Sequence, residues 1–302
     1  MKLRSSILLF ALVGMICGAL LVRAQEPGDE VRGAFLSSRP KTTTTSAPTH
    51  RHRPRNTNAN SQTAANANNG KTINANTKVS GNKNTSSINV PLQAIGLGYT
   101  LFMRGPNGRS VRAEPNREFH NGEGVRIALE PNVDGFLYIF HTEGDGAPEM
   151  IYPDPRLDGG DNWIEAHVPM EVPSSEESDE RLRWFTFYGN AGVERLYVVM
   201  TRAPLSAVPT GEDLVAFCAT NKDKCPWHPS PDVWSRIMRD TLRSNISVVT
   251  AKQFGQPQSE KEQIATTRGL GLDQSAPQPS VIRMNASTTE PMLVTILDLV
   301  HK

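Results

Sequence analysis

The segment "DPRLDGGDN" sets Asp154, Asp158, Asp161 and Asn162 around two glycines. Calcium takes six to eight oxygen ligands in flexible loops of this composition. These four residues are therefore the candidate metal ligands, and Ca²⁺ is the one cofactor the sequence raises. Their spacing departs from the Asp-x-Asp-x-Asp-Gly run and bidentate Glu of an EF-hand, and Asp/Gly loops are also the ordinary way a sheet protein turns. Just upstream, Glu143 and Asp145 stand in "TEGDGAP", and Trp163 follows the acidic loop. These three are the candidate ligand-binding residues, with Trp163 expected as an exposed aromatic.

Other chemistries find little to work with. The chain has no G-x-S-x-G elbow, no G-x-x-x-x-G-K-[ST] phosphate loop and no H-E-x-x-H helix. His120, His141, His167, His228 and His301 have no ligand spacing and read singly as surface or strand-end residues. No catalytic residue is assigned. A hydrolase working through paired carboxylates is the alternative to a binding module. Removal of an N-terminal signal segment carrying Cys17 would leave two cysteines, Cys218 and Cys225, with six residues between them, and an even count in an exported chain fits one disulfide. A zinc site would lack ligands there, because only His228 lies close in sequence.

The elements that must position these residues read mainly as β. In "VDGFLYIFHTEGDGAPEMIYPDP", Phe136, Tyr138 and Phe140 alternate with Leu137 and Ile139, so both faces of the strand are apolar and both must be buried. The Asp145-Gly146 step followed by "MIYP" signals a hairpin. "GYTLFMR", "VRIALEP", "NWIEAHVPMEVP", "RWFTFYG" and "VERLYVVMT" read as further strands, separated by Gly/Pro turns. "PTGEDLVAFCATN" suggests a short helix capped by Thr210. "SPDVWSRIMRDTLRS" suggests a longer one, with Ser230 as cap, Pro231 at its first position and Trp234, Met238 and Leu242 in one stripe. "MLVTILDLV" is apolar on both faces and predicts a terminal strand inside the sheet.

The front of the chain differs. Met1 to Arg4 is basic, Ile7 to Val22 is almost wholly apolar, and Ala24 offers a cleavage position, which is the pattern of a secretory signal peptide over residues 1–24. An uncleaved membrane anchor over residues 7–22 is the alternative. Residues 25–90 are expected to be a disordered Asn/Thr-rich basic linker, because they hold too little apolar surface to offset the entropy of ordering. Between Ser38 and Val90 there are eight Lys or Arg, Arg39 among them, and no acid; from Pro91 onward there are 20 basic and 28 acidic residues. A basic tail precedes an acidic body. From Ser38 to Val90 the linker has no Phe, Tyr or Trp on which bases could stack, so nucleic acid is not an expected partner. Membrane contact is expected only through an uncleaved signal segment or the basic linker.

"GFLYIF", Gly146, "MIYP", Asn162 with Ile164, "VP" at 172–173, "WFTF" and "GVERLYVVMTRAPL" occur in this order. Together they resemble the bacterial family called domain of unknown function 4384, over roughly Gly98 to Leu205. The resemblance implies an exported β-sandwich, often an accessory module of envelope or multidomain proteins, and supplies no catalytic residues. The expectation is thus an antiparallel β-sandwich domain over residues 91–302 with one or two packed helices. It has a helical insertion at about 209–245, a mobile excursion at about 255–289 and a C-terminal strand at 292–300. Its expected role is non-catalytic binding of a protein or cell-envelope polymer in the periplasm, envelope or medium; a membrane-tethered structural protein is the other alternative.

Overall fold

The structure, a computed structural model, describes residues 27–41, 92–156, 158–241, 245–249 and 253–302. The expected signal peptide or anchor and most of the expected linker lie outside the described residues. In chain order the strands are β1 (Gly96–Arg104), β2 (Ser110–Arg112), β3 (Glu118–Phe119), β4 (Gly124–Pro131), β5 (Gly135–Glu143), β6 (Glu149–Tyr152) and β7 (Trp163–Ile164). They continue with β8 (Met170–Val172), β9 (Phe185–Thr186), β10 (Gly192–Thr201), β11 (Asn245–Val249), β12 (Val281–Asn285) and β13 (Met292–His301). The helices are α1 (Pro27–Ser37), α2 (Glu212–Thr220), α3 (Pro231–Thr241) and α4 (Glu260–Arg268).

The strands form two sheets and the fold is mainly β. The first sheet runs β11-β12-β1-β4-β8, with β2 added to β1 and β9 to β4; the second runs β3-β13-β10-β5-β6, with β7 added to β5. Pairing is antiparallel apart from the short β13–β3 contact. Between the sheets lies the main core, built from Leu97, Tyr99 and Leu101 of β1, Val125, Ile127 and Leu129 of β4, and Leu137, Ile139, Leu196, Val198, Leu297 and Leu299 of the second sheet. Each such side chain contributes roughly 1.5–3 kcal/mol on burial.

The alternation of β5 produces the second core. Phe136, Tyr138 and Phe140 point away from the first sheet and are covered by α2 and α3 through Leu214, Val233 and Ile237. Trp234 sets its ring edge-on to Tyr197 at 4.8 Å and to Phe140 at 5.5 Å. β13 has the same two-faced character: Leu293, Leu297 and Leu299 face the main core, while Val294 joins the layer under the helices. The Cys218–Cys225 disulfide is formed and ties the end of α2 to the chain leading into α3.

Several expectations are corrected. The linker does not begin at residue 25 as structureless chain: α1 occupies Pro27–Ser37, with Val31 and Phe35 packed on Ile282 and Met284. A four-residue step between Val31 and Phe35 puts both on one helical face, enough to bury a short amphipathic segment. The excursion at 255–289 contains α4 and β12. α4 is held by a capping box between Ser259 and Glu262 and ends at Gly269, whose φ of 60° is left-handed. α2 begins after Gly211 rather than on a Thr210 cap, and the Gly211 N–H donates to the Gly160 carbonyl at 2.7 Å. "NWIEAHVPMEVP" is not one strand: β7 pairs with β5 in the second sheet and β8 with β4 in the first. The chain changes sheets at His167, a non-glycine residue with φ of 59°. That conformation is held by hydrogen bonds at both peptide groups, His167 N to Pro131 O and Leu272 N to His167 O, each 2.7 Å.

Candidate functional site

The residues singled out by sequence are not brought to one place. Glu143 and Asp145 are exposed in the β5–β6 turn, where Gly144 takes the positive φ and the Gly146 N–H closes on the Glu143 carbonyl at 2.9 Å. The acidic loop instead leads into Trp163, which pairs with Phe136 near the start of β5. Seven steps of strand separate Phe136 from Glu143, a distance of about 23 Å at the usual rise. The two acidic groups are therefore separate features.

Within the acidic loop the ligand set does not converge. The Asp154 carboxylate receives the Arg156 guanidinium and backbone N–H. Asp161 Oδ1 accepts the N–H groups of Asn162 and Trp163 at 2.7 and 3.1 Å. Asn162 is fully buried and donates to the Leu137 carbonyl at 3.2 Å, so it braces β5 rather than facing the loop. Asp158 opens a short turn, and its side chain is outside the described residues. Among the described residues no group of three or more His, Cys, Asp or Glu is placed to hold a metal. Trp163 is half-buried rather than exposed and packs edge-on to Phe136 at 5.1 Å.

What the sequence reading missed is a buried charged layer on the outer face of the first sheet. Along β4, Val125, Ile127 and Leu129 face the main core, so Arg126 and Glu130 face outward. Glu130 is met by Arg39: Nε donates to Oε1 at 2.7 Å and Nη2 to Oε2 at 2.6 Å. Arg112 of β2 pairs with Glu262 of α4 and rests 5.5 Å from the Phe102 ring. Arg126 stacks over Trp184 at 4.1 Å and faces Glu171 of β8 at 3.6 Å. Burial lowers the pKa of Arg112, with Glu262 opposing the shift, and burial lowers that of Arg126, with Glu171 opposing. Beside Arg112 a polar hollow of about 450 Å³ opens between Gln253, Gln256, Ser259 and Glu262. Arg39 is thus corrected from a solvated tail residue to one of the most buried side chains of the fold.

His167 joins the same layer and is 3% exposed. Its Nδ1 lies 2.8 Å from Glu130 Oε1 and its Nε2 2.9 Å from Ser38 Oγ. These are the distances of a serine–histidine–carboxylate relay. Two features set it apart. Ser38 follows the C-terminal end of α1 and its hydroxyl donates to the Phe35 carbonyl at 2.6 Å, so it sits at the carbonyl end of a helix rather than at an amide end. Glu130, the member that would orient the imidazole, is already held in a fork by Arg39. His141 is also poorly described as a strand-end residue: its Nδ1 lies 3.1 Å from Glu149 and its Nε2 2.6 Å from Glu194, which clasps β5 to both neighbouring strands.

Residues 118–204 match the family model described as Domain of unknown function (DUF4384). The match runs from β3 through β10 and takes in both faces of β5, the acidic loop and the sheet-changing turn at His167. α1, β1 and everything from α2 onward lie outside it. No curated protein and no solved structure matches the chain.

Proposed function

We propose that this chain is an exported interaction module of the cell envelope that binds a protein or an envelope polymer without catalysing a reaction on it. The observation that carries this reading is the use made of the buried charges. Arg39–Glu130 and Arg112–Glu262 each tie a covering element to the first sheet, so they act as fasteners. The exposed turn of Glu143 and Asp145 and the loop of Asp154 to Asp161 remain as the surfaces offered to a partner. Export is supported by the N-terminal sequence and by the Cys218–Cys225 bond, since such bonds persist in oxidising compartments. Among the described residues no helix is long and apolar enough to cross a membrane.

Cross-linking in intact cells, with mass spectrometry of captured species and N-terminal sequencing of the fractionated chain, tests both parts. Capture lost in a Glu143→Gln/Asp145→Asn variant is expected for recognition at the turn. A chain retained in the cytoplasm with Met1 intact would end the export reading.

A second reading, acyl transfer at Ser38, is favoured by the Ser38–His167–Glu130 distances alone. A fluorophosphonate probe decides it: labelling at Ser38 that vanishes in His167→Ala would support chemistry, and an unlabelled chain supports a fastener.

A further inference from the structure

Residues 27–41 lie against the outer face of the first sheet, yet 50 residues separate them from the next described residue, Leu92. A chain of that length can reach well over 100 Å when extended. Short connectivity therefore does not dictate where the segment sits, and its contacts must.

Those contacts have two halves. The apolar half is a hollow over Ile282 and Met284 that takes Phe35, which is fully buried. Its floor is glycine: a Cβ at Gly96 or Gly98 would come within 3.1 Å of the Phe35 ring. The polar half is a cage for Arg39. Besides the two bonds to Glu130, Nη1 donates to the Ala276 carbonyl at 2.9 Å and Nη2 to the Pro277 carbonyl at 3.0 Å. Gln274 then reads the backbone, its N–H donating to Pro40 O at 3.0 Å and its side-chain amide to Arg39 O at 3.2 Å. An aromatic anchor, a forked arginine–carboxylate pair and backbone hydrogen bonds are the means by which proteins recognise helical peptides. Glu130 also gives the groove a demand, because a carboxylate this buried needs a cation.

We propose that the outer face of the first sheet is a peptide-binding groove. It reads a short helix carrying Phe and, just past the helix end, an Arg four residues on. Its present occupant, residues 27–41, is held by these contacts rather than by the chain connection and exchanges with the same segment supplied in trans. Tethering keeps the site filled, since a linked segment is present at high effective concentration. The inference goes beyond the proposed function and does not depend on it.

The test uses the full chain with a protease site replacing residues 61–66. After cleavage, a fluorescent peptide of residues 27–41 is added and its uptake followed by anisotropy, with circular dichroism reporting the fold. Saturable uptake by the cut chain, refusal by the uncut chain, and uptake at least about 100-fold weaker for peptides carrying Arg39→Ala or Phe35→Ala are expected. No uptake by the cut chain, equal uptake by the uncut chain, equal binding of the variant peptides, or loss of the folded signal on cutting would each overturn the proposal.

Discussion

The two outer faces of the sandwich are covered by opposite means. Over the second sheet, α2 and α3 lay down Leu214, Val233, Ile237 and Trp234 against a row of aromatics, and the cover is apolar. Over the first sheet, the segment from α1 to Arg39 and the stretch carrying α4 are fastened by buried ion pairs to residues far away in sequence, the Arg39–Glu130 pair as a fork and the Arg112–Glu262 pair through one contact. An apolar cover is non-directional and tolerates small changes of fit. A charged one is directional, since a buried carboxylate or guanidinium without its partner is heavily penalised. The first sheet therefore gains specificity about which segment covers it, at the expense of tolerance.

The largest effect is expected from Arg39→Ala, which takes the guanidinium from Glu130 and leaves it in the interior with only His167 beside it. Loss of about 3–5 kcal/mol is expected in urea unfolding, and the double change Arg39→Met/Glu130→Leu should recover most of it. Equal loss in both would make the pair a simple packing contact. On the apolar side Ile237→Ala, at a residue 2% exposed, should cost about 2–4 kcal/mol, with no rescue by a second charge change. Breaking the disulfide with Cys218→Ser/Cys225→Ser should lower stability by about 2 kcal/mol, because the closed loop is short, and should loosen α2 before the first sheet in hydrogen exchange.

A pH effect distinguishes the faces further. Burial raises the pKa of Tyr138 above its usual 10, with the Leu205 N–H and Asn162 opposing. The folded state thus holds that proton more tightly than the unfolded state. The corresponding stability is present in full below about pH 10 and is lost as pH rises through the folded value. Urea midpoints from pH 8 to pH 11 should fall, and Tyr138→Phe should reduce that fall, leaving the part due to Tyr99, whose pKa burial also raises. The smallest effect expected is Ser259→Ala, which removes the cap of α4 and should cost about 1 kcal/mol.

Legibility in the sequence follows the same division. The strand of Phe136 to Phe140, its hairpin and the stripe of α3 could be read because apolar alternation and four-residue spacing are local signals. α4 was legible too: "SEKE" with Gly269 downstream carries a capping box and a C-terminal glycine, although the polar composition around it reads as an excursion. Arg39 was not legible, since an arginine in a basic stretch differs from its neighbours only through Glu130, 91 positions on. The candidate residues of the acidic loop were found by type, but type does not say which way a carboxylate or an amide points. Asp154 turned to Arg156, and Asn162 turned inward.

By itself the sequence determined the β class, the two-faced strands at Phe136 to Phe140 and Met292 to Val300, the main amphipathic helix and the cysteine pairing. In each of these the physical cause acts within a few residues or leaves one partner to choose. What lies on the outer face of the first sheet follows from contacts between distant parts of the chain. There Arg39, Glu130, His167 and Glu262 acquire their roles from one another, and the free energy of a buried charge depends on a partner that no local pattern names.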